Sequence, residues 1–429
     1  MTEKLHHAAS DTFRSLHVRN FRLFFVGQLI SQTGSWLTMI TQTLLVLSLT
    51  HSGVSLGVLT ACQFGPILFL GAWAGAVADR TDKRKLLVIV QALAMLQSVA
   101  LGIVVLGGWA SLPVIFSLAG VQGVLTAFDN PSRRAFVVEM VEADELANAV
   151  SLNSAIMMGS RVVGPAAAGA LVLGFGYGWP FLIDAATYLA VIAGLLMIRP
   201  AELFRSPPTK RGKGQVREGL RYIRSDRQLF VPLVMMAIVG TFAFNFSVTI
   251  PLLVAGPLGG STTTFTVLFS VLSLGSLGGA LYTARRTEVT NRQLVVAATG
   301  FGLAMLLLAA APSLDLAFGA SVLLGVASIA FMTSTTAIVQ VLAGPEYRGR
   351  VLAIQGMVFL GSTPIGGPVL GWISDQAGPR VGLVVGAVGC LVAAAYGYRM
   401  LCRGSGDSRA ARPDHRQPLI AEDAVSLAD

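Results

Sequence analysis

The sequence predicts an all-α membrane protein in which twelve transmembrane helices form two pseudo-symmetric six-helix bundles. Hydrophobic residues make up 54% of the chain and charged residues only 12%, with a mean hydropathy of +0.69. A single water-soluble core cannot bury that much apolar surface, so the chain belongs in a bilayer. The charged residues divide the chain into six apolar blocks, and its two halves share a spacing of glycines.

The six apolar blocks are the source of the twelve predicted spans. Each block holds 43 to 57 residues, which is too long for one span of about 20 residues but suits two helices joined by a tight turn. Glycine, proline or serine residues near the middle of each block mark that turn. The blocks are residues 23–78, 86–128, 146–198, 228–284, 293–345 and 351–398.

Basic residues lie almost entirely in the termini and between the blocks. Of the 31 lysines and arginines, only Arg161 lies within a span and only Arg380 lies in an outer turn. This charge bias predicts that both termini lie in the cytoplasm, in a multi-pass protein of the bacterial inner membrane. No cleaved signal peptide is expected, because the first span follows a polar and basic stretch.

A basic segment near the middle of the chain separates the two halves. It carries nine lysines or arginines, and Val216, Leu220 and Ile223 within it have the spacing of a short amphipathic helix at the inner headgroup surface. The predicted organisation is a cytoplasmic N-terminus at 1–20, an N-terminal bundle at 21–198, a basic linker at 199–227, a C-terminal bundle at 228–402 and a cytoplasmic tail at 403–429.

Glycines recur at nearly the same offset in both halves. A shift of 202 residues places Gly164 on Gly366 and Gly169 on Gly371, and a shift of 206 places Gly34 on Gly240. Nearly constant offsets indicate two parallel repeats of six helices. Pairs of small residues also allow helices to approach closely, which matters where packing must hold the bundle together.

The turn after the second span holds the most distinctive motif of the chain, GAVADRTDKRK, which begins at Gly75. Gly75 permits close helix packing, and Asp79 caps a helix or forms an ion pair at the cytoplasmic edge. Arg80 and Arg84 hold the turn at the inner surface of the membrane. The alternative is a plain basic turn that serves the topology alone.

This motif resembles the signature of the major facilitator superfamily, and the resemblance covers the chain from about residue 13 to residue 402. Asp82 stands where that signature usually has a glycine. In the superfamily this element latches one conformation of the transporter. The resemblance therefore implies the role of a conformational latch for Gly75, Asp79, Arg80 and Arg84.

Further stretches resemble one branch of that superfamily. Residues 129–136, 146–154 and 161–166 are similar to the enterobactin-exporter and macrolide-efflux proteins. Gly164 and Pro165 resemble the fifth-helix motif of drug:proton antiporters, although Ala168 stands where that motif has a glycine. Proline removes an amide donor and glycine removes bulk, so the fifth helix can bend there. The resemblance implies proton-coupled export by alternating access.

Polar side chains form stripes on single faces of four predicted spans. They are Gln28, Gln32 and Ser35 on the first span, Gln122 and Thr126 on the fourth, Thr241 and Asn245 on the seventh, and Thr333, Thr336 and Gln340 on the tenth. Lipid offers no hydrogen-bond partner, so the stripes indicate a cavity that holds water or substrate, or else polar contacts between packed helices.

Asp129, Arg161 and Asp184 are ionisable residues at membrane depth. Arg161 lies about 15 residues into the fifth span, with Asp129 about 10 Å nearer the cytoplasm and Asp184 about 10 Å further out. A charged group at that depth must face protein or a wet cavity. Both aspartates fit the role of a proton carrier beside Arg161. The alternative for Asp129 is a structural ion pair with Arg133, one helical turn further along.

No enzymatic chemistry is indicated by the sequence. It contains no metal-ligand spacing, no nucleophile motif and no phosphate-binding loop. Cys62, Cys390 and Cys402 show no paired spacing. We therefore expect no enzymatic activity and no cofactor, with a proton gradient as the source of energy. The basic residues are dispersed between apolar blocks, so nucleic acid is not an expected partner despite a pI near 9.9.

The sequence thus predicts a monomeric secondary transporter whose partners are a small-molecule substrate, protons and the lipid bilayer. The expected activity is proton-coupled efflux of a small amphipathic organic compound, such as a drug, a siderophore or a secondary metabolite. Two alternatives remain open. One is a solute importer or symporter of the same fold, and the other is a transport-inactive membrane scaffold or lipid-handling protein.

The predicted topology can be tested with inserted reporters. A reporter fused after Arg211 is expected to lie in the cytoplasm, because the basic linker stays inside, and one inserted at Gly259 is expected to lie outside. Alkaline phosphatase, which is active only outside the cytoplasm, would report the two positions. Activity after Arg211 but not at Gly259 would contradict the twelve-span map.

Overall fold

The computed structural model describes residues 13–204, 215–284 and 289–402, and every regular element in those ranges is helical. The first half contains α1 (Arg19–Thr50), α2 (Gly53–Arg80), α3 (Lys83–Leu106), α4 (Leu112–Met140), α5 (Leu146–Phe175) and α6 (Gly178–Met197). The linker contributes α7 (Gln215–Ser225). The second half contains α8 (Arg227–Phe242), α9 (Phe246–Ala255), α10 (Thr262–Ala284), α11 (Asn291–Ala310), α12 (Leu314–Leu342), α13 (Pro345–Ala377) and α14 (Pro379–Gly397). Arg211 and the predicted tail lie outside the described residues.

Eleven segments of the described chain are long and apolar enough to cross a membrane, with α8 and α9 counted together as one. The remaining candidate is α1, in which polar side chains recur along the helix. Its 32 residues are sufficient to span a bilayer. It packs on both α5 and α6, as a member of the first bundle. The predicted all-helical architecture of twelve spans is confirmed.

The seventh span differs from the single helix that the sequence predicts, because it is broken between α8 and α9 at residues 243–245. The side-chain amide of Asn245 donates to the carbonyl of Thr241 at 2.8 Å. Such a bond offers the backbone an alternative to the helical ladder. Gly366 of α13 lies against the same carbonyl and amide, where a side chain would collide with both.

The halves meet mainly where α2 packs on α13 and α5 packs on α10, and α9 also contacts α1 and α2. Gly53 and Gly57 of α2 face α13, where a Cβ on Gly57 would lie 2.5 Å from Pro368 Cα and one on Gly53 would lie 2.5 Å from the carbonyl of Gly371. Glycines spaced four residues apart on one face allow this close crossing. The hydroxyl of Ser270 on α10 donates to a backbone carbonyl of α5 at 3.0 Å.

A carboxylate also ties α13 to the beginning of α2. Asp375 accepts hydrogen bonds from the hydroxyl of Ser52 at 2.7 Å, from the amide of Val54 at 3.0 Å and from the amide of Gly53. These amides belong to the first turn of α2, where helical N–H groups have no partner within the helix and favour an anion. We call this arrangement the Asp375 clasp.

The apolar cores differ between the two ends of the molecule. We call the end at which α1 begins the linker end and the end at which α1 finishes the hairpin end. Towards the hairpin end, Leu37 and Ile40 of α1 share one core with Val239 and Phe269 of the second half. At the linker end the cores are separate, since one cluster draws on the first half alone and another on α7 and the second half. The halves are therefore closed together at the hairpin end and divided at the linker end.

The short helix predicted in the linker is present as α7, and it packs on the second half of the protein. Its position at the inner headgroup surface stays a prediction. Ile223 is buried against the second half, in one cluster with Leu233 and Val351. The ring of Tyr222 stacks on that of Tyr347, with centroids 4.3 Å apart. Ile223 of the predicted apolar stripe is thus covered, and α7 packs mainly on α13. Of the three predicted stripe residues, Leu220 is exposed, which fits a helix only partly covered.

Candidate functional site

Two adjoining cavities lie within the first bundle. One, of about 100 Å³, contains Asp129 in its wall, and the other, of about 160 Å³, contains Asp184. The walls of both include four side chains of α1, α4 and α6, namely Ser35, Gln122, Thr126 and Tyr188. The polar stripes predicted on the first and fourth spans therefore face a common space. Gln32 also lines the first cavity.

Asp129 forms the ion pair that was the alternative to a proton-carrier role. Its carboxylate binds the guanidinium of Arg133, one turn further along α4, and accepts a hydrogen bond from the amide of Gln91 at 2.7 Å. Both members of the ion pair are largely buried, with side-chain exposures of 8% for Asp129 and 14% for Arg133. The charge of Asp129 is thus compensated within its own helix.

Asp184 is fully buried and is held by hydroxyl groups from three helices. One carboxylate oxygen accepts from Thr38 of α1 at 2.7 Å and from Ser98 of α3 at 2.8 Å. The other lies 3.4 Å from the hydroxyl of Thr187 on α6. Among the described residues, no basic side chain forms an ion pair with Asp184. Gly34 leaves the space that this carboxylate occupies, because a Cβ there would overlap with it.

Tyr188 lies between the two aspartates and was not identified from the sequence. It is 3% exposed, sits beside Ser35 and Gln122, and is close enough to both carboxylates to interact with them electrostatically. Its position one helical turn after Asp184 places both side chains on the same face of α6. The spacing of four residues between Asp184 and Tyr188 could have identified the tyrosine in the sequence. A residue one turn after a buried acid faces the same polar interior.

Arg161 stacks on an aromatic ring instead of pairing with either aspartate. Its guanidinium carbon lies 5.6 Å from the centroid of Trp36, and Trp36 lines the Asp184 cavity. The buried Nε of Arg161 has no hydrogen-bond partner among the described residues. Neither aspartate is paired with Arg161 in the described chain, since Asp129 binds Arg133 and Asp184 binds hydroxyl groups. The coupling role expected of Arg161 stays a prediction.

Gly164 and Pro165 lie where α5 crosses α1. A Cβ on Gly164 would lie 3.2 Å from the carbonyl of Thr33 and would also collide with Trp36, so only glycine permits this approach. Pro165 lies inside a helix that continues to Phe175. Proline has no amide hydrogen, so the carbonyl of Arg161, four residues earlier, loses its helical donor.

The predicted polar residues of the second half do not line either of these cavities. The hydroxyls of Thr241 and Thr333 donate to carbonyls one turn earlier in their own helices. Thr336 accepts a hydrogen bond from Gln355 at 2.8 Å. Asn245 lies at the break of the seventh span, and Gln340 is exposed. In the first half, Gln28 is buried outside both cavities, and neither polar atom of its amide has a partner in the described chain.

The predicted latch lies at the linker end, where the halves are divided. Arg84 donates to the carbonyls of Leu195 and Leu196 at 2.6 and 2.8 Å, so it anchors the turn to the last turn of α6. Nothing lies within 4 Å of a Cβ built on Gly75, and Arg80 is exposed while Asp79 is partly buried. The side chain of Asp82 caps α3 by accepting from the amide of Lys85. This capping explains how an aspartate fits where a glycine is usual.

Comparison with protein families gives one match over nearly the whole chain. The family described as transmembrane secretion effector matches residues 10–426. Among curated proteins, the staphyloferrin A transporter of Staphylococcus aureus is 28% identical over 226 residues, which are 51% of this chain and 56% of that protein. The MFS-type transporter YfiS of Bacillus subtilis is 26% identical over 219 residues, 50% of this chain and 51% of that protein. The chain thus spans about half the length of the curated relatives it matches.

Two solved structures of transporters share the fold of this chain. A bacterial homologue of the human lysosomal transporter Spinster, in an inward-facing and unoccupied conformation, has a TM-score of 0.70 and 17% identity, covering 89% of this chain and 97% of that one. The nucleoside transporter NupG has a TM-score of 0.69 and 16% identity, covering 89% and 99%. At these identities the likeness concerns the fold alone.

Proposed function

We infer that the chain, which belongs to the transmembrane secretion effector family of the major facilitator superfamily, exports a small amphipathic organic compound in exchange for protons. The observation that carries this proposal is the fully buried carboxylate of Asp184, which is bound by hydroxyls of α1 and α3. It borders the cavity and has no basic partner among the residues that the structure describes. A carboxyl group in that setting is suited to carry a proton.

The hydroxyl groups around Asp184 can serve both of its protonation states. A hydroxyl donates to a carboxylate, and by rotating it accepts from a carboxylic acid. Thr38 and Ser98 can therefore hold the side chain in place while a proton arrives and leaves. Asp129 is less suited to this task, because protonation would leave the buried Arg133 without its partner. We accordingly assign proton coupling to Asp184 and a structural role to Asp129.

The division of the cores supports an alternating-access mechanism. If the linker end faces the cytoplasm, as the distribution of basic residues predicts, the described conformation is open inward and closed outward. Opening the other side requires α2 to leave α13 and α5 to leave α10. The two parallel repeats can rock against each other about the cavity to do so.

The cavity around Asp184 favours an amphipathic substrate. Trp36, Met39, Phe64 and Ile67 form an apolar wall, and amide and hydroxyl groups line the remainder. An apolar wall that faces hydrogen-bonding groups suits a compound with one apolar and one polar side. Similarity to a staphyloferrin A transporter supports a siderophore as one candidate, with drugs and secondary metabolites as the others.

Everted membrane vesicles provide the test of this proposal. Compounds would first be selected by comparing the sensitivity of deletion and overexpression strains to a panel of drugs and siderophores. A selected compound should accumulate in everted vesicles when the lumen is made acid, because a proton leaving the lumen then drives the compound in. A proton symporter for import would not accumulate it, and a scaffold would not move it. Either result would overturn the proposal.

A further inference from the structure

Arg161 is a cation in the middle of the membrane for which the described chain supplies no anion. Its guanidinium rests on Trp36 at 5.6 Å, and its buried Nε has no hydrogen-bond partner among the described residues. The two nearby acids are engaged elsewhere, Asp129 with Arg133 and Asp184 with hydroxyl groups. A charged side chain at that depth is costly unless it has a counter-ion, contacts water or binds a ligand. The described chain provides no counter-ion for Arg161, so a bound ligand is a candidate partner.

The way Arg161 is held leaves its donors available. The contact with the indole ring attracts the guanidinium as a cation and does not use its N–H groups as hydrogen-bond donors. That planar set of donors matches the two oxygens of a carboxylate. Gly164 allows Trp36 to lie directly against α5, because any side chain at that position would collide with the Trp36 side chain. Gly164 thus makes the contact between Arg161 and Trp36 possible where α1 crosses α5.

We propose that Arg161 and Trp36 form a subsite for a carboxylate group of the transported compound. This inference rests on the proposed function, which it deepens by assigning the substrate to the class of anionic amphipathic molecules. The carboxylate would bind the N–H edge of Arg161, and the apolar body of the same molecule would lie along Trp36, Met39 and Phe64 in the adjoining cavity. A stack that served packing alone would not discriminate between an acid and its amide.

The test uses a pair of probes that differ only in charge. Dansyl-phenylalanine carries a carboxylate, and dansyl-phenylalaninamide carries a neutral amide of the same size. Binding to the purified full-length protein in phosphatidylcholine nanodiscs can be read as energy transfer from Trp36 to the dansyl group. The signal can be made specific by changing the other four tryptophans to phenylalanine, since all are exposed: Trp73, Trp109, Trp179 and Trp372.

The unsubstituted subsite is expected to bind the acid about tenfold more tightly than the amide, because a charge-assisted bidentate contact is lost with the amide. Arg161→Gln should remove that preference without changing the affinity for the amide, and Arg161→Lys should keep part of it. Arg292→Gln, which neutralises an exposed arginine at the linker end, is the matched control and should keep the full preference. Thermal unfolding of each variant would confirm that it remains folded.

Three outcomes would overturn the subsite. The first is equal binding of the two probes, or no binding of either, by the wild-type protein, because a carboxylate preference would then be absent. Preference retained by Arg161→Gln would place the recognition elsewhere. Loss of the wild-type preference when phosphatidylglycerol is added to the nanodiscs would assign the site to a lipid phosphate. Binding is measured without a gradient, so these results stand apart from failure of proton-driven transport.

Discussion

Asp184→Asn is expected to reduce gradient-driven accumulation to the level of vesicles without the protein, while exchange of substrate across the membrane without a gradient continues. Asparagine has the shape of aspartate but cannot take up a proton. Its amide can still bond the hydroxyls of Thr38 and Ser98, which lie 2.7 and 2.8 Å from the carboxylate. The variant should therefore fold, bind substrate and change conformation, but without coupling to protons.

The measurement is made on everted vesicles that contain equal amounts of wild-type and variant protein. Accumulation after acidification of the lumen reports coupling, and exchange of labelled for unlabelled compound at equal pH reports the conformational cycle. If Asp184→Asn retained full gradient-driven accumulation, Asp184 would not be the proton carrier. Loss of both accumulation and exchange, with a lower unfolding temperature, would indicate a structural role instead.

Asp129→Asn is the matched control, because it also removes a buried acid next to a cavity. Asp129 differs from Asp184 in having a basic partner, Arg133. This change leaves Arg133 buried without a counter-ion, and breaking a buried ion pair from one side destabilises a protein by about 3–5 kcal/mol. We expect reduced folding and reduced exchange together. The double variant Asp129→Asn/Arg133→Gln should recover much of the stability, because no buried charge is then left unpaired.

The architecture could be predicted because hydropathy and charge act over long stretches of chain. Each of the spans needs about 20 apolar residues, and the basic residues mark the segments that stay on one side. The break at residues 243–245 could not be found in the same way. It depends on the amide of Asn245 binding the carbonyl of Thr241 and on Gly366 approaching from a distant helix. The second of these contacts joins residues more than a hundred positions apart.

Sequence patterns predicted the parts of the candidate site that lie on one helix, and they missed the parts that several helices build together. Periodicity within one helix identified Gln32 and Ser35 as neighbours, and the spacing of four residues gave the Asp129–Arg133 ion pair as an alternative. The hydroxyls around Asp184 come from three helices, so no single helical face contains them. The stripes of the second half fit either a cavity wall or polar contacts between helices, and threonine hydroxyls can also bond their own helix, which the pattern cannot distinguish.

Loss of the Asp375 clasp is expected to shift the protein towards a state in which the hairpin end is open. The carboxylate of Asp375 bonds Ser52 and the first amides of α2, and this contact must break when α2 and α13 separate. Hydrogen bonds to a charged group contribute about 1.5–3 kcal/mol. Their loss in Asp375→Ala should raise the open population about 10- to 100-fold relative to the closed one. Asp375→Asn should have a smaller effect, since one oxygen remains.

Electron–electron double resonance can measure this shift with spin labels on the two halves at the hairpin end. Trp109, in the turn between α3 and α4, and Ser313, in the turn between α11 and α12, are both exposed. The distribution of distances between the labels at 109 and 313 should gain a longer component in Asp375→Ala. That component should be weak in the protein that retains Asp375. Asp315→Asn is the control, because Asp315 is an exposed acid in the first turn of α12 at the same end. An unchanged distribution in Asp375→Ala would mean that the glycine crossing of α2 and α13 closes the hairpin end without help from the carboxylate.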